Sequence, residues 1–237
     1  MEFAAVARTA VSDVVFGQII DAILSGRIAP EATLPSEREL AEMFQVNRHA
    51  VREALKRVQQ SGLVRVTPGG KTRVLDWRSH AGLDILTAVT RSGAVPAQRI
   101  LRDIAVMRRS VAADAARLCA EHADAEQLAA VQRAAAAYPD ATAPFGAVVE
   151  ADLAFWVAIL DGSGNLAYRL ALNTLVAGYF GIGMEVIAEL GLNKEYIDPG
   201  AHRTLAACIA RRDAAGAYDT AYTLLTRLVD AQAVPED

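Results

Sequence analysis

The sequence has little of what a catalyst, an extracellular protein or a membrane protein needs. It has two cysteines, Cys119 and Cys208, far apart and each on an apolar helical pattern. They form neither a disulfide framework nor a metal spacing and are read as buried, reduced thiols. The four histidines, His49, His80, His122 and His202, fall in four separate segments and suggest no triad. There is no G-x-S-x-G elbow, no H-E-x-x-H and no phosphate-binding loop, and Gly162-Ser163-Gly164-Asn165 reads as a helix-to-helix turn. No enzyme is expected. The longest stretch without a charge, Leu170 to Met184, has 15 residues, short of the roughly 20 apolar residues of a membrane span. Glu2 and Arg8 stand at the start with no apolar h-region behind them, so no secretory signal is read and a cytoplasmic protein is expected.

What is present is a globular composition. The chain has 237 residues, 53% hydrophobic and 22% charged, enough for one or two domains with a sizeable core. Net charge is −4, but it is unevenly spread. From Arg48 to Arg73 seven basic residues (Arg48, Arg52, Lys56, Arg57, Arg65, Lys71, Arg73) face one acid, Glu53, so this window carries +6 and the remainder −10. Such asymmetry points to two modules with different partners. The break falls near Asp76-Trp77-Arg78-Ser79-His80, giving a first domain over 1–75, a linker over 76–80 and a second domain over 81–237.

In the first module, Val11 to Ser25 reads as an amphipathic helix with Val14, Val15, Ile19, Ala22 and Ile23 near one face and Gly26 at its C-cap. Ser36-Glu37-Arg38-Glu39 has the capping-box form S-x-x-E, so a second helix starts there, with Leu40, Ala41 and Phe44 inward. Asn47 caps a third helix, whose Val51, Ala54, Leu55 and Val58 follow the i, i+3, i+4, i+7 rule up to Ser61-Gly62. Val64 to Thr67 and Thr72 to Leu75 are β-prone runs joined by Pro68-Gly69-Gly70-Lys71, a hairpin. Three helices and a hairpin make a winged helix-turn-helix. From about Ala81 onward the punctuation is helical throughout. Breaks stand at Ser92-Gly93, His122-Ala123, Tyr138-Pro139, Gly162-Ser163-Gly164, Gly191 and Arg212-Asp213, and helix starts at Pro144 and Pro199. The expected fold is mainly α: a winged helix-turn-helix followed by an all-α antiparallel bundle of six or seven helices.

With the apolar stripe of the third helix turned inward, Arg48, His49, Arg52 and Lys56 occupy its other face, and Arg48, Arg52 and Lys56 stack four apart. A helix fits the major groove of double-stranded DNA, where arginine pairs bidentately with guanine or clamps phosphate and Lys56 meets the backbone. Arg38, in the preceding helix, reaches a phosphate or a base edge beside it. The Gly69-Gly70-Lys71 turn has no bulky side chain near its tip, so it can enter a minor groove and bring Lys71 with it.

These residues carry a resemblance. Leu34-Pro35-Ser36-Glu37-Arg38-Glu39-Leu40-Ala41, then Val46-Asn47-Arg48 and Val51-Arg52-Glu53-Ala54-Leu55, closely resemble the DNA-binding module of GntR-type transcription regulators. The resemblance implies that Arg38, Arg48 and Arg52 match the family's DNA-contacting arginines, and Gly69 and Gly70 its wing-tip glycines. The sequence departs from the pattern at Glu31, where the family usually has glycine after Pro30, and at Asn47, where a small hydroxyl residue is common. Asn47, His49 and Lys56 complete the candidate DNA-binding set. Two-fold symmetry of a homodimer implies a palindromic operator.

The helical part resembles the FCD class of effector domains in that superfamily. Much of the class holds a metal through an Asp-x-x-x-His pair and two later histidines. Here Asp152 and His202 match two ligands, while Trp156 and Leu224 stand in place of the others, so no metal and no other cofactor is expected. Within the class the nearer resemblance is to the FadR subfamily, carried by Ala81-Gly82-Leu83-Asp84-Ile85-Leu86, by Arg108, and by Ser163-Gly164-Asn165 with Tyr168, Leu170, Leu172, Asn173, Tyr179, Ile182 and Gly183. It implies long-chain fatty acyl-CoA as effector, with Arg108 and Tyr179 in the pocket. A buried guanidinium needs an anion such as a carboxylate or phosphate, and Phe155, Trp156 and Leu172 are candidates for the apolar wall. The final helix, Tyr218 to Asp230, lacks the cluster that contacts the CoA part. The expectation is a homodimeric DNA-binding regulator of fatty-acid or lipid metabolism. The alternatives are a regulator responding to a small organic acid, with or without a metal, and, from other classes, an enzyme or a purely structural bundle. Salt-dependent binding to duplex DNA separates the regulators from the last two.

Overall fold

The computed structural model describes residues 11–67, 70–92, 95–140, 142–182 and 198–231, without the side chains of 91, 179–182 and 227–231. The chain forms two compact units that divide between Pro96 and Ala97.

The first unit opens with α1 (Val11–Leu24), which buries Val15, Ile19, Ile20, Ile23 and Leu24. Val14, placed inward by its spacing, is instead 49% exposed, and Ile20 takes the inner position. Gly26 ends the helix at φ 77°. Helix α2 (Glu37–Phe44) begins at the capping box: Ser36 accepts from the Glu39 amide, and the Glu39 carboxylate accepts from the Ser36 amide. Helix α3 (Arg48–Gln60) is capped by Asn47, whose Oδ1 accepts from the Ala50 amide at 2.8 Å. Its apolar stripe, Val51, Ala54, Leu55 and Val58, is buried, and α3 packs on α1 and α2. Strands β1 (Val64–Val66) and β2 (Thr72–Val74) pair antiparallel with Val64 opposite Val74. The residues before α2 add a further rung, with a bridge from Thr33 to Arg73 and the Glu31 amide donating to the Val74 carbonyl at 2.9 Å. Glu31 does so at φ 65°, the left-handed region where glycine is free of strain.

Helix α4 (Trp77–His80), a 3-10 turn (Leu83–Ile85) and α5 (Leu86–Ser92) follow. Helix α5 packs on α1, so residues 81–92 group with the first unit, beyond the boundary at 80 read from the sequence. The residues read as linker are themselves ordered as α4, with Asp76 as N-cap.

The second unit, among the described residues, is α6 (Ala97–His122), α7 (Ala125–Ala136), α8 (Phe145–Gly162), α9 (Leu166–Ile182), α10 (Pro199–Ala210) and α11 (Ala214–Ala231). Pro144 precedes α8 as its N-cap and Pro199 opens α10, as a ring without N–H permits. The expected break at Gly191 lies outside the described residues. Helix α6 buries Ile100, Leu101, Ile104 and Ala105 in its first half and the small residues Ala112, Ala113, Ala115, Ala116, Cys119 and Ala120 in its second. Small side chains let neighbouring backbones approach closely; α11 packs along this helix and adds Ala217, Ala221, Leu224 and Leu225 to the same core. Arg212 donates to the carbonyls of Ala120 and Ala123 at 3.1 and 2.6 Å, satisfying acceptors left over at the end of α6.

Candidate functional site

Each unit carries one constellation. In the first, the exposed face of α3 presents Arg48, His49, Arg52 and Lys56, and α2 presents Arg38. The side chains of Arg38, Arg52 and Lys56 are 63%, 57% and 60% exposed. Lys71 and Gly70 are exposed in the wing, while Gly69 lies outside the described residues. Asn47 is committed to its cap. Arg57 turns away from this face: it pairs with Asp13 and lies over the Phe16 ring at 4.0 Å, tying α3 to α1.

The cations are restrained differently. Arg38 pairs with Glu42 at 3.7 Å and Lys56 with Glu53 at 2.9 Å, each within its own helix. Arg52 reaches across to α2, donating from Nε to both Glu37 carboxylate oxygens at 3.2 and 3.1 Å and from Nη2 to one of them at 2.8 Å. These hydrogen bonds hold the Glu37 carboxyl below its ordinary range against the opposing effect of burial, helped by the charges of Arg52, Arg48 and Lys56. Glu37 was not among the residues singled out from the sequence, because no spacing rule relates positions 15 apart on two helices.

In the second unit, Asp152 on α8 is the hub of a buried polar cluster. It accepts from Arg108 Nη2 at 2.7 Å and from Trp156 Nε1 at 3.1 Å. Tyr138 Oη and His202 Nε2 stand 3.4 Å from its Oδ1. His202 is 1% exposed and donates from Nδ1 to the Asp198 carbonyl at 2.8 Å. Tyr138 stacks on the His202 ring at 3.8 Å and Phe155 meets it edge-on at 5.0 Å. Burial pushes the Asp152 carboxyl up, but the Arg108 charge and the His202 and Trp156 contacts outweigh it and hold the group ionised below its usual range.

Of the effector residues expected from sequence, Arg108, Phe155 and Trp156 come together around Asp152 and His202, and Leu172 is buried in the same core. The side chain of Tyr179 lies outside the described residues. Leu224 lines a surface groove with Asp198, Ala201 and Thr223. The anion that Arg108 requires is supplied by Asp152 itself. Tyr138, read from the sequence only as a helix break, also belongs to the cluster. The donor set does not suit a metal: a guanidinium and an indole N–H already meet the carboxylate, and no group of three His, Cys, Asp or Glu that could hold an ion occurs among the described residues.

Two family models match the chain: bacterial regulatory proteins of the gntR family over residues 11–74, and the FCD domain over residues 103–227. The HTH-type transcriptional regulator Mce2R of Mycobacterium tuberculosis is 35% identical over 223 residues, spanning 93% of this chain and 90% of that protein. The fatty acid metabolism regulator protein of Escherichia coli is 30% identical over 172 residues, 72% of this chain and 70% of its own. Among solved structures, Lar, which controls expression of the Listeria monocytogenes agr system, aligns over 100% of both chains with a TM-score of 0.54 at 15% identity, a likeness of fold. Family and relatives are transcription regulators rather than enzymes. The winged helix-turn-helix with its row of cations, and the helical unit that follows it in the sequence, are thus those of a member of the GntR family of transcription regulators that carries an FCD domain.

Proposed function

We propose that this regulator acts as a homodimer on a palindromic operator, controls genes of fatty-acid or lipid metabolism, and is modulated by a long-chain acyl-CoA or related lipid metabolite bound in its helical unit. Arg38, Arg48 and Arg52 read bases and clamp phosphates, with His49 and Asn47 beside them; Lys56 meets the backbone, and Gly69, Gly70 and Lys71 enter the minor groove. The observation that carries the effector reading is the Arg108–Asp152 pair at 2.7 Å, walled by Trp156 and Phe155. An effector carboxylate or phosphate would take the place of Asp152 on Arg108, with the Trp156 indole N–H and His202 left to hold the displaced carboxylate. The name of the Escherichia coli relative favours a lipid as that anion. Phe155, Trp156, Leu172 and Tyr179 are the residues assigned to the acyl chain, and the site works without a metal in a cytoplasmic protein.

The test is release of a labelled duplex, recovered by selection from a random library, on titration with palmitoyl-CoA, oleoyl-CoA and small organic acids at fixed salt. Micromolar release by the acyl-CoAs alone is the expected result. Release only by sugar acids or lactate would replace the lipid reading with the small-acid one, and no binding to any duplex would overturn the DNA role.

A further inference from the structure

We infer that Glu37 is a positioning residue for sequence recognition: it holds the Arg52 guanidinium side-on, so that Arg52 reads a base edge instead of clamping a phosphate. This rests on the proposed role of α3 in DNA binding.

Glu37 is the first residue of α2, set directly behind Ser36, whose reciprocal bonds with Glu39 fix the first helical turn. From that anchored position its carboxylate takes the Nε and Nη2 side of Arg52 through three donor–acceptor distances of 2.8 to 3.2 Å. A guanidinium carries five donors in one plane. With the Nε–Nη2 edge bound to α2, the plane is set, and the donors not used by the carboxylate are those of Nη1 and the second hydrogen of Nη2. Bidentate recognition of guanine O6 and N7 uses two parallel donors on one edge. A free arginine side chain gives up about 1.5–2 kcal/mol of rotamer freedom when it is ordered, and prior pairing removes much of that cost from the binding step.

Charge points the same way. Non-specific attraction to DNA comes from cations that displace counterions from phosphates, and Glu37 cancels the charge of Arg52. Arg48 and Lys56, one turn to either side, act on the same carboxylate and help keep it ionised. Lys56 also has an acidic partner, Glu53, but on its own helix, three residues before it, which neutralises charge without tying the side chain to a second element. On this face of α2 and α3, Glu37–Arg52 joins the two helices, whereas Arg38–Glu42 and Lys56–Glu53 each stay within one.

The experiment selects duplexes from a random library with the full-length protein, with Glu37→Gln and with Glu53→Gln, and then measures affinity for the recovered duplex and for poly(dI-dC) across a salt series. For Glu37→Gln, discrimination at one base pair of each half-site falls by at least about 5-fold. Its binding to poly(dI-dC) tightens, and the salt slope steepens by about 0.9, one added phosphate contact. Glu53→Gln tightens binding to both duplexes and keeps the wild-type motif. The inference is overturned if Glu37→Gln recovers the wild-type motif with unchanged discrimination, or if it weakens specific and non-specific binding equally. A wild-type protein that enriches no sequence at all would overturn the DNA reading itself, which the mutant comparison does not touch.

Discussion

Charge pairing decides the behaviour of single residues in both units. Arg52 and Glu37 are a third or more exposed, so their pair adds little to stability and its effect falls on DNA recognition. Arg108 and Asp152 are 14% and 10% exposed, and there the balance reverses. Asp152→Asn removes the carboxylate that the buried guanidinium meets at 2.7 Å, which costs about 3–5 kcal/mol and is read as a lower midpoint in chemical denaturation. The pH dependence has a definite sign. The Asp152 carboxyl is held below its ordinary value, so its contribution is full above about pH 4 and is lost as pH falls through the folded-state value. The gap in stability between wild type and Asp152→Asn therefore narrows in acid; a gap that widens below pH 4 would contradict the assignment. The sequence shows that Arg108 requires an anion but does not show which one, because Asp152 lies 44 positions away on another helix.

Helices and turns were the more legible scale. The capping box at Ser36, the cap at Asn47 and the proline before α8 are local signals, and each marks a helix start in the structure. The rung at Thr33 was not legible, since a single bridging residue has no periodicity. The close approach of α8 to α6 was equally hidden. Gly162 ends α8 where an added Cβ would stand 2.6 Å from Cys119 Sγ and 3.3 Å from Ala123 Cβ. Cys119 is fully buried, with its thiol pushed up to about 11 by burial, so it cannot turn aside into solvent. Gly162→Ala should therefore destabilise the helical unit by about 1–3 kcal/mol. Gly17, inside α1 with nothing within 4 Å of an added Cβ, gives the opposite sign: Gly17→Ala gains about 0.5–1 kcal/mol from helix propensity. Equal shifts in the denaturation midpoints of the two variants would contradict the packing described for Gly162.

For the molecule as a whole, the uneven charge of the sequence separates two roles: a basic window on a DNA-reading unit and an acidic remainder that includes the helical unit. Coupling between them is a linkage. An effector lowers operator affinity only by the factor with which it prefers one state of the protein over the other, and under the proposed function that preference would come from an effector anion taking the place of Asp152 on Arg108. The direct measurement is acyl-CoA titration of the operator complex of the double variant Arg108→Gln/Asp152→Asn, which removes both buried charges together and so avoids stranding either one. The account predicts that this variant binds the operator as the wild type does and is no longer released by oleoyl-CoA. Release at the wild-type concentration would contradict it and remove Arg108 from the effector site.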